Sequence, residues 1–390
     1  MATKPGYKTT PGSTILVTGS SGFVGARLVE ILLERNAKKI ICFDIAPPSP
    51  ALLARFTKAA SGNSSKFQIF AGMQDGNLTN KESVLKAFGS SGTTIDIVYH
   101  IAALVGPFHD YDKYMEVNYH GTMHIIEACK ANKVPRLVFS SSPSTRFTGG
   151  DIEGLREDQM EIPDKFLAMY AQTKAYAEKE VHKACDPTNG FFTISVAPHQ
   201  VYGPHDPLFM PALLETAGSG KLRVFGKGEN KISVCHVDNY CHGLICGADV
   251  LEKDSKALAK FYIITDGPEQ FFWKILNEGV VAMGFKDLFQ KFHYPIWFLM
   301  AVAHVANGLG WILNKKFKLN PFNVKMLTIH RYFSIENSIR DLKYEPVVTF
   351  EDGWKSNIEW HKKHWLPGYL ERTASGKGSV IANIGSKKGD

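Results

Sequence analysis

Short apolar runs alternate with segments of helical apolar spacing along the first half of the chain. Residues 13–18 form an apolar, β-branched run that stops at a glycine, and residues 24–33 then space their apolar side chains three and four positions apart. This pattern predicts a strand, a tight turn and a helix. Further runs of the same kind predict strands at residues 39–44, 67–70, 95–99, 136–139 and 192–196, most of them separated by helical patterns.

This alternation of strands and helices indicates the fold class. Short hydrophobic strands that are each followed by a helix must pair in parallel, and both faces of their sheet must be covered. The sequence therefore predicts an α/β fold, a doubly wound parallel sheet of the Rossmann type, over residues 14–198. Beyond this point the alternation weakens, which predicts a smaller C-terminal substrate lobe at residues 199–372, parts of which return to the first domain. Flexible ends are predicted at residues 1–13 and 373–390.

One segment of the predicted lobe, residues 294–313, is almost wholly apolar and carries aromatic residues near its ends. Its length is close to the minimum for crossing a bilayer, but His304, Asn307 and two glycines interrupt it. We therefore expect a helix that lies on a membrane surface rather than one that spans the bilayer. A helix buried inside the lobe remains the alternative.

Composition narrows the classes of partner and compartment. The net charge of +7 is modest and the basic residues are dispersed, so we expect no nucleic-acid partner. The six cysteines lack the spacing of a disulfide framework, and the first 13 residues contain no apolar signal segment, so we expect a reduced protein that faces the cytosol. Cys235-His236 and Cys241-His242 resemble zinc ligands, but adjacent side chains point in different directions, and we predict no metal site.

Three glycines follow the first predicted strand at a spacing of three residues. Gly19, Gly22 and Gly25 lie where the strand turns into the helix. Glycines at such a turn leave room for a pyrophosphate, whose negative charge the N–H groups of the helix N-terminus can meet. We therefore predict a dinucleotide site here, and a tight turn without a ligand is the alternative.

An acidic residue at the end of the second predicted strand indicates which dinucleotide is bound. Asp44 lies 19 residues beyond Gly25. A carboxylate at this place can accept hydrogen bonds from the hydroxyls of the adenosine ribose, and its charge repels a 2′-phosphate. The sequence therefore predicts NAD rather than NADP as the cofactor. The alternative is an ordinary aspartate at a strand end.

The candidate catalytic residues are Tyr170, Lys174 and Ser142. Tyr170 and Lys174 are four residues apart in a predicted helix at residues 166–183, so they share one face. We expect the ammonium to lower the pKa of the phenol from its usual value of about 10, which a general base for alcohol oxidation requires. Ser142, 28 residues before Tyr170, would hold the substrate oxygen, although Ser140 and Ser141 compete for this role. A core aromatic residue and a solvated lysine are the alternative.

These motifs together resemble the extended short-chain dehydrogenases and, among them, the 3β-hydroxysteroid dehydrogenase family, over residues 14–367. Within the family, the likeness is strongest to members that act on sterol 4α-carboxylates. The family resemblance rests on Thr18 to Gly25, His100-Ile101-Ala102-Ala103, Val117-Asn118-Tyr119-His120-Gly121-Thr122, Phe139-Ser140-Ser141-Ser142, Tyr170 to Lys174 and Pro198-His199-Gln200-Val201-Tyr202-Gly203-Pro204. The likeness to the sterol members rests on Gly203-Pro204-His205-Asp206-Pro207, Gly226-Lys227-Gly228-Glu229-Asn230, Val237-Asp238-Asn239-Tyr240-Cys241-His242-Gly243 and the aromatic-apolar stretch after His293.

The resemblance implies roles for further residues. Aligned on the family's strand, Ser142 is the catalytic serine, and Asn118 supports the active-site backbone and a proton-relay water. Two departures from the family pattern are visible: Ala197 replaces a common arginine, and Asn77 replaces an aspartate that often contacts adenine. The residues that the resemblance places on the cofactor, besides those above, are Phe23, Val24, Asn77, Leu78, Ala102, Ala103, Pro198 and Val201.

The implied reaction is the NAD-dependent oxidation of a sterol 3β-hydroxyl beside a 4α-carboxylate, followed by loss of carbon dioxide. A 3β-hydroxysteroid dehydrogenase that also isomerises a double bond is one alternative, and an NAD- and lipid-binding redox sensor without turnover is another. The expected partners are a sterol, a membrane surface and a second copy of the chain in a homodimer. Lys387 and Lys388 resemble a dilysine retrieval signal, so we expect the cytosolic face of the endoplasmic reticulum membrane.

Overall fold

A computed structural model describes residues 7–89, 92, 94–106, 109–313 and 319–375, with the backbone alone at residues 310–313. Strands and helices alternate through the first half of this part of the chain. The strands are β1 (Thr14–Thr18), β2 (Lys39–Asp44), β3 (Phe67–Ala71), β4 (Ile97–His100), β5 (Arg136–Ser140), β6 (Ile152–Leu155), β7 (Phe192–Pro198), β8 (Val201–Tyr202), β9 (Lys231–Ile232), β10 (Cys235–His236), β11 (Phe261–Ile264), β12 (Gln270–Phe271) and β13 (Arg331–Phe333).

The helices follow the strands closely in chain order, and short 3₁₀ or π turns occur between them. They are α1 (Phe23–Glu34), α2 (Pro50–Ala59), α3 (Gly72–Asp75), α4 (Lys81–Gly89), α5 (Tyr111–Tyr114), α6 (Gly121–Ala131), α7 (Met169–Lys183), α8 (Phe209–Gly218), α9 (Val237–Asp249), α10 (Phe272–Ala282), α11 (Ile296–Leu313), α12 (Pro321–Met326), α13 (Glu336–Leu342), α14 (Phe350–Trp360) and α15 (Leu366–Ala374). The 3₁₀ turns are Ser64–Lys66, Pro143–Arg146 and Glu157–Gln159, and the π turns are Met115–His120 and His361–Trp365.

The main sheet has seven parallel strands within the described residues, in the order β11-β7-β5-β4-β1-β2-β3. The chain builds outward from β1 in one direction through β2 and β3, and in the other through β4, β5 and β7. The strand order therefore reverses between β1 and β4, which opens a crevice at the carboxyl ends of the strands. The predicted doubly wound α/β fold is confirmed, and the six predicted strands all lie in this sheet.

Apolar side chains cover both faces of the sheet, which explains why its strands are continuous hydrophobic runs. Because neighbouring residues of a strand point to opposite faces, Ile15 and Val17 pack on one side with α1 and α9, whereas Leu16 packs on the other with α4, α6 and α7. All three β1 side chains are fully buried. The central strands are therefore rigid supports for the loops at their carboxyl ends.

The lobe contains a second sheet, in the order β12-β9-β13-β6, and its own apolar cluster around Trp273. Strand β6 comes from the chain between β5 and α7, and it pairs with β13 near the other end of the sequence. Strand β11, which follows most of the lobe, pairs with β7 in the main sheet. The polypeptide thus passes between the two sheets several times.

The apolar segment forms α11, which begins two residues inside the predicted run and ends with it. Several of its apolar side chains point to solvent, with Trp297 74% and Val305 64% exposed. Among the described residues, no helix combines the length and apolar character needed to cross a bilayer. Lys387 and Lys388 and most of the predicted flexible tail lie outside the described residues.

Candidate active site

The turn between β1 and α1 requires its glycines for steric reasons. Gly19 has a φ of +73°, and a Cβ on it would lie 2.9 Å from the Cα of Ala102. A Cβ on Gly25 would lie 2.0 Å from the carbonyl oxygen of Gly19, which is a direct overlap. The turn therefore packs closely against both its own helix and the segment that follows β4.

The start of α1 fits the pyrophosphate of a dinucleotide. Gly22 is the N-cap residue, it supplies no side-chain hydrogen bond to the helix, and the first turn, which includes Phe23 and Val24, contains no acidic residue. The N–H groups at this end are therefore positioned to meet an anion, and the helix dipole favours one. The residues present support the predicted dinucleotide site.

Asp44 lies at the carboxyl end of β2, beside the glycine turn. Its two carboxylate oxygens accept hydrogen bonds from the backbone N–H groups of Ser21 and Ala46, each at 2.8 Å. Burial raises the pKa of Asp44, and these N–H groups oppose the shift. The hydrogen bond to Ser21 ties the second strand to the glycine turn. A contact of Asp44 with a cofactor ribose stays a prediction.

Asn77 and Leu78 serve the local structure. The Asn77 side-chain oxygen accepts hydrogen bonds from the N–H and hydroxyl of Thr79, both at 3.0 Å. Leu78 is buried against Gly121: a Cβ added to Gly121 would lie 3.0 Å from the Cβ of Leu78. A contact of either residue with a cofactor stays a prediction.

His100 connects the segments that carry the cofactor site. Its two ring nitrogens lie 2.7 Å from the hydroxyl of Thr18 and 2.9 Å from that of Thr122. Burial, together with the charge of Lys174, lowers the pKa of His100 to about 3, so the ring is neutral. The Thr18 hydroxyl also accepts the backbone N–H of Ala102, which sets the position of Ala102 and Ala103. The resemblance pointed to this segment, but the spacing of residues did not reveal the link.

Asn118 holds together the backbone that surrounds the site. It lies in the π turn Met115–His120, a type of irregularity that is frequent at functional sites. Its side-chain oxygen accepts a hydrogen bond of 2.8 Å from the N–H of Leu104, and its side-chain NH₂ donates one of 3.1 Å to the carbonyl oxygen of Leu104. The NH₂ group also donates to the hydroxyl of Thr173 at 3.3 Å. Asn118 therefore joins the segment after β4 to helix α7, and its implied role toward a proton-relay water stays a prediction.

Tyr170 lies in the first turn of α7, which begins three residues later than predicted because Ala168 has an extended backbone. Burial raises the pKa of the phenol to about 12, and Tyr114 adds to the shift, whereas the Ser142 hydroxyl lowers it. The structure thus brings Ser142 and Tyr170 together. The expected lowering of the Tyr170 pKa is not found, because the phenol is withdrawn from water and Lys174 is engaged elsewhere.

Lys174 follows Tyr170 by one helical turn and is buried. Its ammonium donates a hydrogen bond of 2.6 Å to the carbonyl oxygen of Ser140 and lies 3.9 Å from the centre of the Phe139 ring. Burial lowers the pKa of Lys174 to about 7, although Glu178 opposes the shift. The side chain is therefore held at the carboxyl end of β5 and can change its protonation state near neutral pH.

The structure favours Ser142 among the three candidate serines. The Ser140 hydroxyl is 2.7 Å from that of Tyr240, and the Ser141 hydroxyl donates to Glu178 at 2.5 Å. Ser142 instead bonds the hydroxyl of its neighbour Ser144 at 2.8 Å and remains partly exposed. The first two serines therefore have structural partners on helices, whereas Ser142 lies beside Tyr170.

A buried ion pair, which was not predicted, connects the segment after Ser142 with helix α7. Arg146 and Glu178 are 2.5 Å apart, and the Glu178 side chain is fully buried. Glu178 is one turn beyond Lys174, and Arg146 ends the 3₁₀ turn that follows Ser142. The pair therefore fastens the serine segment to the helix that carries Tyr170 and Lys174. The four-residue spacing after Lys174 was a signal for it.

Pro198 and Val201 lie at the far side of the crevice. Ser140 of β5 is paired with Val196 of β7, and the Ser141 N–H donates to the carbonyl oxygen of Val196 at 2.9 Å, so Ser142 and Pro198 each lie two residues beyond the last strand pair. Val201 begins β8 and is paired with Cys235. Ala197 is fully buried in an apolar cluster, so the place of the family's arginine is apolar in this chain.

Comparison with known proteins agrees with this geometry. The model of the 3-beta hydroxysteroid dehydrogenase/isomerase family matches residues 16–290. The chain belongs to this family. The family resemblance that the motifs indicate is thereby confirmed. The matched range includes every site residue that was predicted from the sequence, from Gly19 to Val201.

Two curated relatives and one solved structure illustrate the relationship. The chain is 29% identical to sterol-4-alpha-carboxylate 3-dehydrogenase, decarboxylating, of Homo sapiens over 88% of this chain and 87% of that protein. It is also 29% identical to 2-alkyl-3-oxoalkanoate reductase of Shewanella oneidensis over 88% and 85% of the two chains. The structure of dTDP-glucose 4,6-dehydratase of Bacillus anthracis in complex with NAD matches with a TM-score of 0.66 and 19% identity over 92% and 100%.

The lobe of this family member contains a cavity of about 500 Å³. It lies between the loop at residues 225–230 and the start of α11, and Trp297 and His293 are among its lining residues. Its volume is in the range of small-molecule sites. None of Ser142, Tyr170 and Lys174 lines it, so this cavity is separate from the catalytic residues.

Proposed function

We propose that this protein is an NAD-dependent dehydrogenase that oxidises the 3β-hydroxyl of a sterol 4α-carboxylate, with loss of carbon dioxide to a 3-oxosteroid. The observation that carries the proposal is the contact of Ser142 with Tyr170, together with Lys174 one helical turn further along α7, where it is bonded to the last residue of β5. The family membership supports a dehydrogenase. The human relative's name supports the substrate and the decarboxylation.

The chain's own residues provide places for each part of NAD. The turn at Gly19, Gly22 and Gly25 and the start of α1 would hold the pyrophosphate. Asp44 would accept the hydroxyls of the adenosine ribose, and Lys174 would hold the other ribose. When bound, NAD supplies the acceptor for the hydrogen and two electrons that leave C3. The NAD of the Bacillus anthracis structure supports this assignment.

The catalytic residues have separate roles in the oxidation of the alcohol. Ser142 donates a hydrogen bond to the substrate oxygen, and Tyr170 removes the hydroxyl proton. A phenol with a pKa of about 12 is protonated at neutral pH, so this step requires a positive charge beside the phenol. Lys174, one helical turn away, is the group of this chain that can supply the charge.

Loss of carbon dioxide follows from the position of the carboxylate. Oxidation at C3 converts the substrate into a β-keto acid. Its bond between C4 and the carboxylate carbon breaks, the electron pair forms an enolate with the new carbonyl, and the enolate takes up a proton. The chemistry needs no further catalytic group.

Product analysis tests the proposed function. The purified protein is incubated with NAD and a 4α-carboxysterol labelled in the carboxyl group, and we expect NADH, labelled carbon dioxide and a 3-oxosterol in equal amounts. A Δ5-3β-hydroxysteroid assayed in parallel serves as the second substrate. A conjugated enone from that steroid without turnover of the carboxysterol would support the isomerase alternative, and NAD binding without any turnover would support the sensor.

The Shewanella oneidensis relative suggests a second candidate substrate. Its name, like that of the human relative, describes a change of oxidation state at the carbon β to a carboxylate. An acyclic 2-alkyl-3-hydroxy acid would satisfy the same chemistry. A higher kcat/KM for such an acid than for the carboxysterol would favour this candidate.

We also propose that α11 attaches the protein to a membrane, which would give access to sterols. Between 44% and 74% of the surface is exposed at each of five apolar residues on α11 or just before it, namely Phe292, Ile296, Trp297, Val305 and Leu309. Such a concentration of exposed apolar surface on one segment is typical of a membrane or protein interaction site. A homodimer, which rests on the family resemblance, and the cytosolic face of the endoplasmic reticulum membrane, which rests on the sequence expectations given above, complete the proposal.

A further inference from the structure

Arg331 is a partly buried cation of the small sheet, and its Nε is fully buried. It begins β13, in the middle of the small sheet, where it is opposite Ile152 and Ile232. Its side chain reaches His199, with 3.5 Å between an η nitrogen and the ring Nε2, and it donates a hydrogen bond of 2.9 Å to the carbonyl oxygen of Met326. His199 directly follows Pro198, the last residue of β7.

The guanidinium has no carboxylate partner among the residues that the structure describes. Its Nε is buried and makes no hydrogen bond there, and burial lowers the pKa of Arg331 to about 10. Arg146, in contrast, is paired with Glu178. A withdrawn cation without a counter-charge is unfavourable, and an anionic ligand would relieve this penalty.

His199 is a hydrogen-bond acceptor for Arg331 and does not compete with it as a cation. Its Nδ1 lies 2.7 Å from the carbonyl oxygen of Ser233 and therefore carries the hydrogen. The Nε2 is left with a lone pair that faces Arg331. Burial lowers the pKa of His199 to about 3, so the ring is neutral. The histidine thus orients the guanidinium and leaves its positive charge available.

The position of Arg331 matches what the proposed substrate requires. Ser142 and Pro198 each follow the last β5–β7 pair, Ser140 and Val196, by two residues, and Arg331 contacts the residue after Pro198. In a sterol 4α-carboxylate the carboxylate is on the carbon next to the reacting C3, so the anion must lie close to Ser142. Ala197, at the place of the family's arginine, is apolar and buried and offers no charge.

The geometry points to Arg331 as the residue that binds the substrate carboxylate and selects 3-hydroxy acids over uncarboxylated alcohols. This inference rests on the proposed function. The planar guanidinium presents parallel N–H groups that match the two oxygens of a carboxylate, which a lysine ammonium cannot do equally well.

The test compares two sterols and two arginines. Wild type, Arg331→Met, Arg331→Lys and the matched surface control Arg340→Met are assayed with a 4α-carboxysterol and with the corresponding 4α-methyl sterol. We expect Arg331→Met to lower the ratio of the two kcat/KM values about 10- to 100-fold, the effect of losing a charge-assisted hydrogen bond. Arg331→Lys should restore part of the ratio, and Arg340→Met, whose side chain pairs with Asp341, should leave it unchanged.

Thermal unfolding of the same variants separates a binding role from a structural one. Because the buried charge has no counter-ion, we expect Arg331→Met to keep or raise the Tm. A lower Tm of Arg331→Met with equal losses of activity on both sterols would make Arg331 structural and would overturn the inference. If wild type decarboxylates the carboxysterol and Arg331→Met has the same ratio of kcat/KM values as wild type, the inference is also overturned. A wild type that oxidises only the methyl sterol would refute the proposed function itself, together with this inference.

Discussion

Burial moves the pKa values of Tyr170 and Lys174 in opposite directions, to about 12 and about 7. Both shifts disfavour the charged form of the group. A phenolate next to an ammonium would relieve both penalties, since each charge would have the other as its partner. The neutral pair and the ion pair contain the same number of protons and differ only in whether one proton is on Tyr170 or on Lys174. The ion pair is the state that can accept the substrate hydroxyl proton, because only the phenolate has a free place for it.

Replacement of Tyr170 by phenylalanine removes the proton acceptor and preserves the ring. We expect kcat to fall at least about 100-fold, since a positioned general base contributes 10² to 10⁴. Steady-state assays of NADH formation measure this loss, and titration of protein fluorescence with NAD should show a much smaller change in cofactor affinity. Turnover by Tyr170→Phe at the wild-type rate would remove Tyr170 from the mechanism.

The lowered pKa of Lys174 predicts a specific dependence of stability on pH. Between about pH 7 and the usual lysine value of about 10.4, the unfolded chain binds a proton at this residue that the folded chain does not. Stability must therefore rise with pH in this window. Relative to Lys174→Met, the free energy of unfolding of wild type should increase between pH 7 and pH 9 by up to about 1.4 kcal/mol per unit.

Denaturant unfolding of both proteins at pH 7, 8 and 9 measures this difference. The raised pKa of Tyr170 does not interfere, because the phenol stays protonated in both states through most of this range. Parallel pH profiles for wild type and Lys174→Met would show that the folded lysine titrates at its ordinary value.

At the level of single residues, the sequence predicted those groups that a motif places by spacing along one element. The glycine turn, Asp44 and the pair Tyr170 and Lys174 are of this kind. Arg331 could not be predicted as a site residue, because its partners come from distant parts of the chain. Of the pair Arg146 and Glu178, only Glu178 was marked by its spacing from Lys174, and its pairing with Arg146 is seen only in the folded chain. The choice of Ser142 likewise depends on which helices occupy the hydroxyls of its two neighbours.

At the level of elements, burial determines where the predictions succeed. The strands of the main sheet are buried on both faces and were therefore visible as apolar runs. Strand β13 has only three residues and belongs to a sheet assembled from distant segments, so no local pattern marks it. Helix α11 was visible from its apolar run, but its exposed surface is seen only in the folded chain.

The exposed apolar surface of α11 predicts a test of membrane attachment. We expect Trp297→Asp with Val305→Asp to reduce co-sedimentation with phosphatidylcholine vesicles at least about tenfold, because aromatic and aliphatic side chains would no longer enter the interface. Leu370→Asp on α15, which replaces a side chain that is 53% exposed, is the matched control and should sediment like wild type. Activity on detergent-solubilised sterol should remain in both.

Vesicle binding that is equal in all three proteins would exclude α11 as the attachment surface. Soluble oligomers that disappear only in the α11 variant would instead indicate that this surface contacts a second copy of the chain. Size-exclusion chromatography without vesicles distinguishes these outcomes.

At the level of the whole molecule, the two sheets share the chain. Strand β6 joins the small sheet although it lies between β5 and α7 of the main sheet, and β11 returns to the main sheet after most of the lobe. The buried amide of Asn239 in α9 also bonds Asp266 and the carbonyl oxygen of Val348. We therefore expect the lobe and the main sheet to unfold together.

Cofactor binding should shift this single transition as a unit. A ligand at about 100 times its Kd stabilises the folded state by about 2.7 kcal/mol, which corresponds to a rise in Tm of a few degrees for a chain of this size. NAD should produce this shift in wild type, and NADP a much smaller one, since Asp44 repels a 2′-phosphate. In Asp44→Ala the two cofactors should become similar, because the repulsion and the ribose hydrogen bonds are lost together. Calorimetry of both proteins with each cofactor measures these shifts, and two separate transitions of which NAD moves only one would show that the lobe folds independently of the nucleotide site.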